Sequence, residues 1–216
     1  IVVNAGDMSP YVSRGAHKLA GALDVFEPAG LAVVGRRCLD AGASTGGFTE
    51  VLLRRGAAQV VAVDVGYGQL AWALRTDPRV VVMDRTNVRE LSPDVVGDPV
   101  ELVVADLSFI SLRLVLEPLF SCTASDGDLV LMVKPQFEVG RALVGPGGVV
   151  RDPARRAAAV GSVAAAAGDL GLGVAGVTAS PLPGPSGNVE YFLWLRAGAP
   201  PLDPALTERA VREGPQ

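Results

Sequence analysis

Arg37-Cys-Leu-Asp-Ala-Gly-Ala-Ser-Thr-Gly-Gly-Phe-Thr-Glu-Val-Leu-Leu53, followed by Val60-Val-Ala-Val-Asp64, is the stretch whose reading decides the fold. A short apolar strand at Cys38-Leu39 runs into a glycine-rich turn. Phe48, Val51 and Leu52 then fall at helical spacing, and a β-branched run resumes at Val60, which together spell a βαβ unit. Gly42 permits a sharp turn, and Gly46 and Gly47 remove side chains where the helix begins, so the backbone can approach a ligand. Asp64 ends the second strand, about 20 residues after the turn, where an acidic side chain can accept hydrogen bonds from both ribose hydroxyls of an adenosine.

Working outward, the alternation repeats. A helix is expected around Leu70–Leu74, strands at Arg79–Met83 and Glu101–Ala105, a helix at Leu112–Phe120 and a strand at Asp128–Val133. After a Pro- and Gly-rich loop (Pro135–Val150) come an Ala-rich helix over Pro153–Leu170 and strands at Val174–Ala179 and Val189–Leu195. Upstream, Leu19, Leu23 and Phe26 place a helix over Gly15–Phe26 that also carries His17 and Lys18. The expected architecture is α/β: a Rossmann-like, mostly parallel seven-stranded sheet with helices on both faces. Residues 198–216 read as a polar tail with a weak helix at Leu206–Arg212 and little function.

At 216 residues with 49% hydrophobic content the chain can bury one sizeable core. No apolar run reaches the ~18–20 residues that cross a bilayer. No leader pattern opens the chain, and two cysteines, Cys38 and Cys122, are too few for a disulfide framework, so a cytoplasmic, reducing setting is expected. The net charge of −4 runs against the usual basic signature of a nucleic-acid binder. Local cations nevertheless occur at Arg14/His17/Lys18, Arg36/Arg37, Arg54/Arg55, Arg141, Arg151 and Arg155/Arg156, where a solvated face is the plain alternative.

The turn alone does not separate S-adenosylmethionine from a dinucleotide. Its pattern is Gly-x-x-x-Gly-Gly and lacks the middle glycine that lets a pyrophosphate come close, which weakens the dinucleotide reading. Asp40 weakens it further: a carboxylate beside the turn suits the cationic amino group of a methionine moiety and repels a pyrophosphate. Asp40, Gly42, Ser44, Thr45, Gly46, Gly47 and Asp64 are therefore the expected cofactor residues, with Asp84 and Asn87 at the third strand's end where an adenine edge would be met.

Two further strand ends carry chemistry. Ala105-Asp-Leu-Ser-Phe-Ile110 follows the fourth strand and Val133-Lys-Pro-Gln-Phe-Glu138 the fifth, both at carboxyl ends, where open sheets bind ligands. Asp106 could instead cap the next helix and Lys134 could be a solvated lysine, although Pro135 fixes the exit of its strand. Glu190 heads the last strand. Lys18, Asp106, Lys134 and Glu190 are far apart in sequence, so only a fold can bring them together.

Ser13-Arg-Gly-Ala-His-Lys18, Asp40–Thr49, Ala105–Ile110, Val133–Glu138 and Gly187-Asn-Val-Glu-Tyr191 together resemble the TlyA family, once called haemolysins and placed with FtsJ-like rRNA ribose methyltransferases. The resemblance spans residues 11–197 and implies a class I S-adenosylmethionine-dependent methyltransferase fold. It also implies a Lys-Asp-Lys-Glu tetrad at Lys18, Asp106, Lys134 and Glu190, with Asp106 shared with the cofactor. The implied reaction is cytidine 2′-O-methylation of ribosomal RNA within ribosomal subunits. Members of the family usually begin with a small RNA-binding domain, which makes residues 1–10 the expected linker from such a domain.

Other chemistries fit less well. A cysteine nucleophile needs an activated thiol, and Cys38 lies within a strand and Cys122 at a helix end. An amino-group methyltransferase motif is absent because Leu107-Ser108 follows Asp106. A single histidine gives a metal no support, no membrane partner is expected, and the sequence predicts no oligomeric state. A nicotinamide-dependent oxidoreductase, sharing the sheet and Asp64, and a membrane-lytic haemolysin, needing an amphipathic or spanning segment, are the alternatives.

Overall fold

A computed structural model describes residues 11–215. The linker expected at residues 1–10 lies outside the described residues. Seven strands, β1 (Arg37–Ala41), β2 (Gln59–Val63), β3 (Val80–Met83), β4 (Val100–Ala105), β5 (Thr123–Val133), β6 (Leu172–Ala179) and β7 (Tyr191–Ala197), form one sheet in the order β3-β2-β1-β4-β5-β7-β6. The first five are parallel, and β7 runs antiparallel to β5 and β6. The eight helices are α1 (Gly15–Phe26), α2 (Gly47–Arg54), α3 (Trp72–Arg75), α4 (Pro93–Val96), α5 (Leu116–Ser121), α6 (Pro135–Glu138), α7 (Pro153–Asp169) and α8 (Pro204–Glu213).

Side chains alternate across each strand, and both faces are covered. Cys38, Val60, Leu102, Val104, Val130, Phe192 and Trp194 pack with α1 and α2, while Leu39, Val61, Val103, Leu129, Leu131 and Leu193 pack with α5 and α7. Burial on both sides is why these strands read as apolar runs and not as alternating ones. On α1, Ala16, Leu19, Leu23 and Phe26 recur at three- and four-residue spacing and make the buried stripe. Strand order reverses between β1 and β4, the switch point at which open α/β sheets bind ligands.

Some boundaries differ from the sequence reading. The helix expected over 112–120 is a 3₁₀ turn at Leu112–Leu114 followed by α5, because Pro118 has no N–H to give Leu114 and is tolerated only in a first turn. The fifth strand begins at Thr123, opposite Val100; residues 124–127 bulge out before Asp128 resumes opposite Leu102. The loop over 135–150 contains α6 and two 3₁₀ turns, and α4 is an element the sequence reading did not place. The tail helix α8 is capped by Asp203 and packs on β6 and α7, burying Ala210.

Asp128, at 0% exposure, holds the far end of the sheet together. It accepts hydrogen bonds from Trp194 Nε1 at 2.7 Å, Arg196 Nε at 2.7 Å and Arg36 Nη1 at 2.6 Å, joining the approach to β1 with β5 and β7. Removing one partner of a buried charge cluster costs ~3–5 kcal/mol, and the partial exposure of Arg36 and Arg196 allows some rehydration. Asp128→Ala is therefore expected to lower unfolding free energy by about 3 kcal/mol in urea titrations; a loss near zero would show that the cluster does not hold the sheet.

Candidate active site

At the carboxyl ends of β1 and β4 the backbone closes on itself. Gly42 has φ +86°, and a Cβ there would lie 2.6 Å from the Asp106 carbonyl oxygen, so only glycine fits between the two loops. Gly46, the residue before α2, has φ +101° and gives the helix its left-handed entry. Asp64 sits on the other side of the turn: Oδ2 accepts from Ser44 N at 2.8 Å and Oδ1 from Gly66 N at 2.7 Å, leaving lone pairs on both oxygens.

Two cavities flank this turn. One of about 400 Å³ is lined by Gly42, Ser44, Asp64, Asn87, Asp106 and Phe109 among others, and one of about 230 Å³ by Ser13, Arg14, Gly15, Thr45, Gly47 and Asp106 among others. Asp106 lines both. Of the residues expected at the cofactor, Gly42, Ser44, Thr45, Gly47, Asp64, Asn87 and Asp106 border this space. Asp84 does not: its Oδ2 is taken by Arg75 Nη2 at 2.7 Å and Gly68 N at 3.2 Å, and that pairing with Arg75 holds its carboxyl below the usual range.

Asp40 lies beneath the turn and not beside it. It is 0% exposed, its Oδ2 accepts from Thr49 Oγ1 at 2.7 Å, and its Oδ1 has no partner. Burial pushes its carboxyl up to about 7, against the Thr49 hydrogen bond and with Asp106 and Asp64 adding to the rise.

The four residues expected to form the tetrad meet as two ion pairs. Lys134 Nζ lies 2.6 Å from Asp106 Oδ1 and donates to Ser108 Oγ at 2.9 Å. Lys18 Nζ lies 2.5 Å from Glu190 Oε2. Lys18, Lys134 and Glu190 are all buried, so each amine is held in one rotamer by a carboxylate. Asp106 therefore caps no helix; the next turn is capped by Ser111. Lys18 is one turn along α1 from Gly15, whose Cβ position is 4.0 Å from Asp106 Oδ2, so the start of α1 borders the same cleft.

Ser108 and Phe109 acquire roles that the sequence reading did not assign. Phe109 is 91% exposed with φ +64°, and its ring lies 5.4 Å from that of Phe137 over a cavity of about 580 Å³ that Gln136 and Arg141 also line. A left-handed, exposed phenylalanine has two costs, offset only by its contact with Phe137. Its only sequence signal was position, three residues after Asp106. Both cysteines are core residues: burial pushes the Cys38 thiol up to about 12 and raises Cys122, which removes a thiolate from the site. Among the described residues no helix is long and apolar enough to cross a membrane.

The sheet is that of the Rossmann-like S-adenosylmethionine-dependent methyltransferases. A solved structure of that description from Listeria monocytogenes matches with TM-score 0.59 over 83% of this chain and 99% of its own, at 16% identity. Residues 11–197 match the FtsJ-like methyltransferases, and the chain belongs to that family. It is 64% identical, over 95% of its length and 77% of the relative's, to the Mycobacterium tuberculosis protein named 16S/23S rRNA (cytidine-2'-O)-methyltransferase TlyA. A solved structure from Streptococcus thermophilus described as a candidate hemolysin is 41% identical, with TM-score 0.89 over 96% of this chain and 75% of that one.

The raised Asp40 carboxyl has a stability consequence with a definite sign. Its folded value of about 7 exceeds the ~3.9 of an unfolded Asp, so the stability it contributes is fully present below about pH 4 and lost as pH rises through about 7. Asp40→Asn removes that titration. Measured between pH 5 and 8 by thermal melts, the wild type is expected to lose melting temperature relative to the Asn variant; parallel curves would contradict the assignment.

Proposed function

We propose that this protein transfers the methyl group of S-adenosylmethionine to a cytidine ribose 2′-hydroxyl of ribosomal RNA. The observation that carries the reading is the ion pair of Lys134 with Asp106, the carboxylate that lines both cavities beside the Gly42 turn. The family and the name of the Mycobacterium tuberculosis relative support the same chemistry. Intact ribosomal subunits in the cytoplasm are the proposed substrate form, with residues 11–197 as the methyltransferase domain.

The donor set fits the cofactor. Asp64 has acceptor capacity left for ribose hydroxyls, Asn87 borders the same cavity where an adenine would lie, and Ser44, Thr45 and Gly47 line the turn's side of the two cavities, while buried Asp40 supports the turn from beneath through Thr49. When bound, S-adenosylmethionine supplies an electrophilic methyl group on a sulfonium. This chain's residues do the rest by positioning, since well-oriented groups can gain ~7–11 kcal/mol over free encounter. As a neutral amine Lys134 would take the proton of the 2′-oxygen, a contribution of ~10²–10⁴-fold for a positioned base, and as an ammonium it would instead stabilise the alkoxide as it develops. Asp106 and Ser108 fix the Lys134 rotamer, and Glu190 fixes that of Lys18 in the same way. Exposed Phe109 offers an apolar face on which the base of the acceptor nucleotide can stack.

Labelled S-adenosylmethionine with unmethylated ribosomal subunits, followed by mapping of the modified nucleotide, tests the reading; label on a base or on protein would refute it. Asp64→Ala is expected to weaken cofactor binding by about 1.5–3 kcal/mol in calorimetry, the range for hydrogen bonds to a charged group. Unchanged affinity would remove Asp64 from the site. Lys134→Ala is expected to abolish methylation while cofactor affinity stays within a few-fold. A near wild-type rate would take the proton-transfer role away from Lys134.

A further inference from the structure

We propose that Glu138 is a positioning residue for methyl transfer, holding the far end of the segment that carries Asp106 and Ser108. The proposal rests on the functional reading above. Glu138 closes α6 and is buried, with a side chain 1% exposed. Its Oε1 accepts from Leu112 N at 2.8 Å, its Oε2 accepts from Ser111 Oγ at 2.6 Å, and Arg113 Nε lies 3.6 Å from Oε2. Every one of these partners belongs to residues 111–113. A buried carboxylate is costly unless satisfied, and an apolar residue of similar size often packs more stably, so its use here points to a requirement beyond packing.

That requirement is geometric. The segment starts at Asp106, whose N–H donates to Ala41 O at 3.1 Å and whose carbonyl abuts Gly42. Lys134, immediately before α6, then takes Asp106 Oδ1 and Ser108 Oγ, while Glu138, at the other end of the same short helix, takes Ser111 and Leu112. One helical turn thus spans the loop, with a cation holding its first half and a carboxylate its second. Between the two anchors sits Phe109 in a left-handed conformation, which a non-glycine residue keeps only where its surroundings over-determine it. Releasing the Glu138 anchor lets residues 107–111 relax and loosens the register of Asp106 and Ser108 against Lys134.

The test compares wild type, Glu138→Ala, Glu138→Gln and Ser111→Ala for kcat on unmethylated ribosomal subunits, for S-adenosylmethionine affinity by calorimetry, and for melting temperature. Misplacement of about 1 Å can cost on the order of 10²-fold, so Glu138→Ala should lose about that much in kcat while cofactor affinity changes only a few-fold. Glu138→Gln keeps an acceptor for Leu112 N and can donate to Ser111 Oγ, so it should recover most of the rate. Ser111→Ala removes the bond to Glu138 Oε2 together with the longer bonds from Arg113 N and Nε at a half-buried site, leaves the Leu112 N bond to Glu138 in place and should show a smaller loss, which keeps the question answerable if Glu138→Ala does not fold.

Wild-type kcat in Glu138→Ala, a Gln variant no better than Ala, a Ser111→Ala variant equal to wild type, or a parallel fall of cofactor affinity with kcat would overturn the positioning role. A wild-type chain that transfers no methyl group to ribosomal RNA would sink the functional reading itself, and the proposal with it. That outcome is read in a separate arm from the variants.

Discussion

The contact between Gly42 and the Asp106 carbonyl is the constraint on which the site depends. A missing Cβ lets the loop after β1 and the loop after β4 touch where the sheet's strand order reverses. Those two loops bear different chemistry: one is a bare backbone turn suited to a cofactor, the other carries the carboxylate that fixes Lys134. Because they touch, the lysine is set against the cofactor space with little slack. Any residue with a side chain at position 42 would have to push Asp106 away from the turn and would have to adopt a left-handed backbone to do it. The close approach and the catalytic register are therefore one property of the fold.

Buried charge is used twice and to different ends. Around Asp128 three donors converge on one carboxylate at the closed end of the sheet, remote from the cleft, and the result is cohesion between β5, β7 and the approach to β1. Around the cleft the charges come as Lys–carboxylate pairs with a single short contact each. Such pairs gain little net stability once desolvation is counted, so their value lies in fixing where an amine points. An unpaired lysine has about 2 kcal/mol of rotamer freedom to lose, and the carboxylates restrict it before substrate arrives. Glu138 extends the same logic to the backbone.

How far the sequence revealed this varies with the physics behind each residue. The strands and their succession along the chain were legible because strands buried on both faces must be apolar runs, and because Gly42, Gly46 and Asp64 have local reasons for their type and spacing. The positions of Lys18, Asp106, Lys134 and Glu190 were legible only as candidates at strand and helix ends; which carboxylate held which amine is a matter of packing. Asp40 was read as standing beside the turn and lies buried beneath it, since local sequence does not say that Thr49, nine residues on, would take its carboxylate. Asp84 was drawn off by Arg75 for the same reason: the competing partner is three-dimensional. Phe109 and Glu138 were invisible as functional residues, because a phenylalanine reads as core and a glutamate at a helix end reads as solvated.

The net charge of −4 argued against an RNA substrate, and the structure shows why bulk charge is a poor guide here. Arg36, Arg55, Arg75, Arg79, Arg196 and Arg209 are neutralised by carboxylates within 4.0 Å, away from the tetrad. Arg85, Arg89, Arg141 and Arg151 stand on loops that follow the carboxyl ends of β3 and β5, and among the described residues they form no salt bridge. Arg85 is stacked on exposed Tyr67, which holds its cation at the rim without neutralising it. A polyanion meets the local field within about a Debye length of ~8–10 Å, so where the arginines without a carboxylate partner stand matters more than the net charge. The distribution of ion pairs, more than their number, decides where on an acidic protein a phosphate backbone can be drawn.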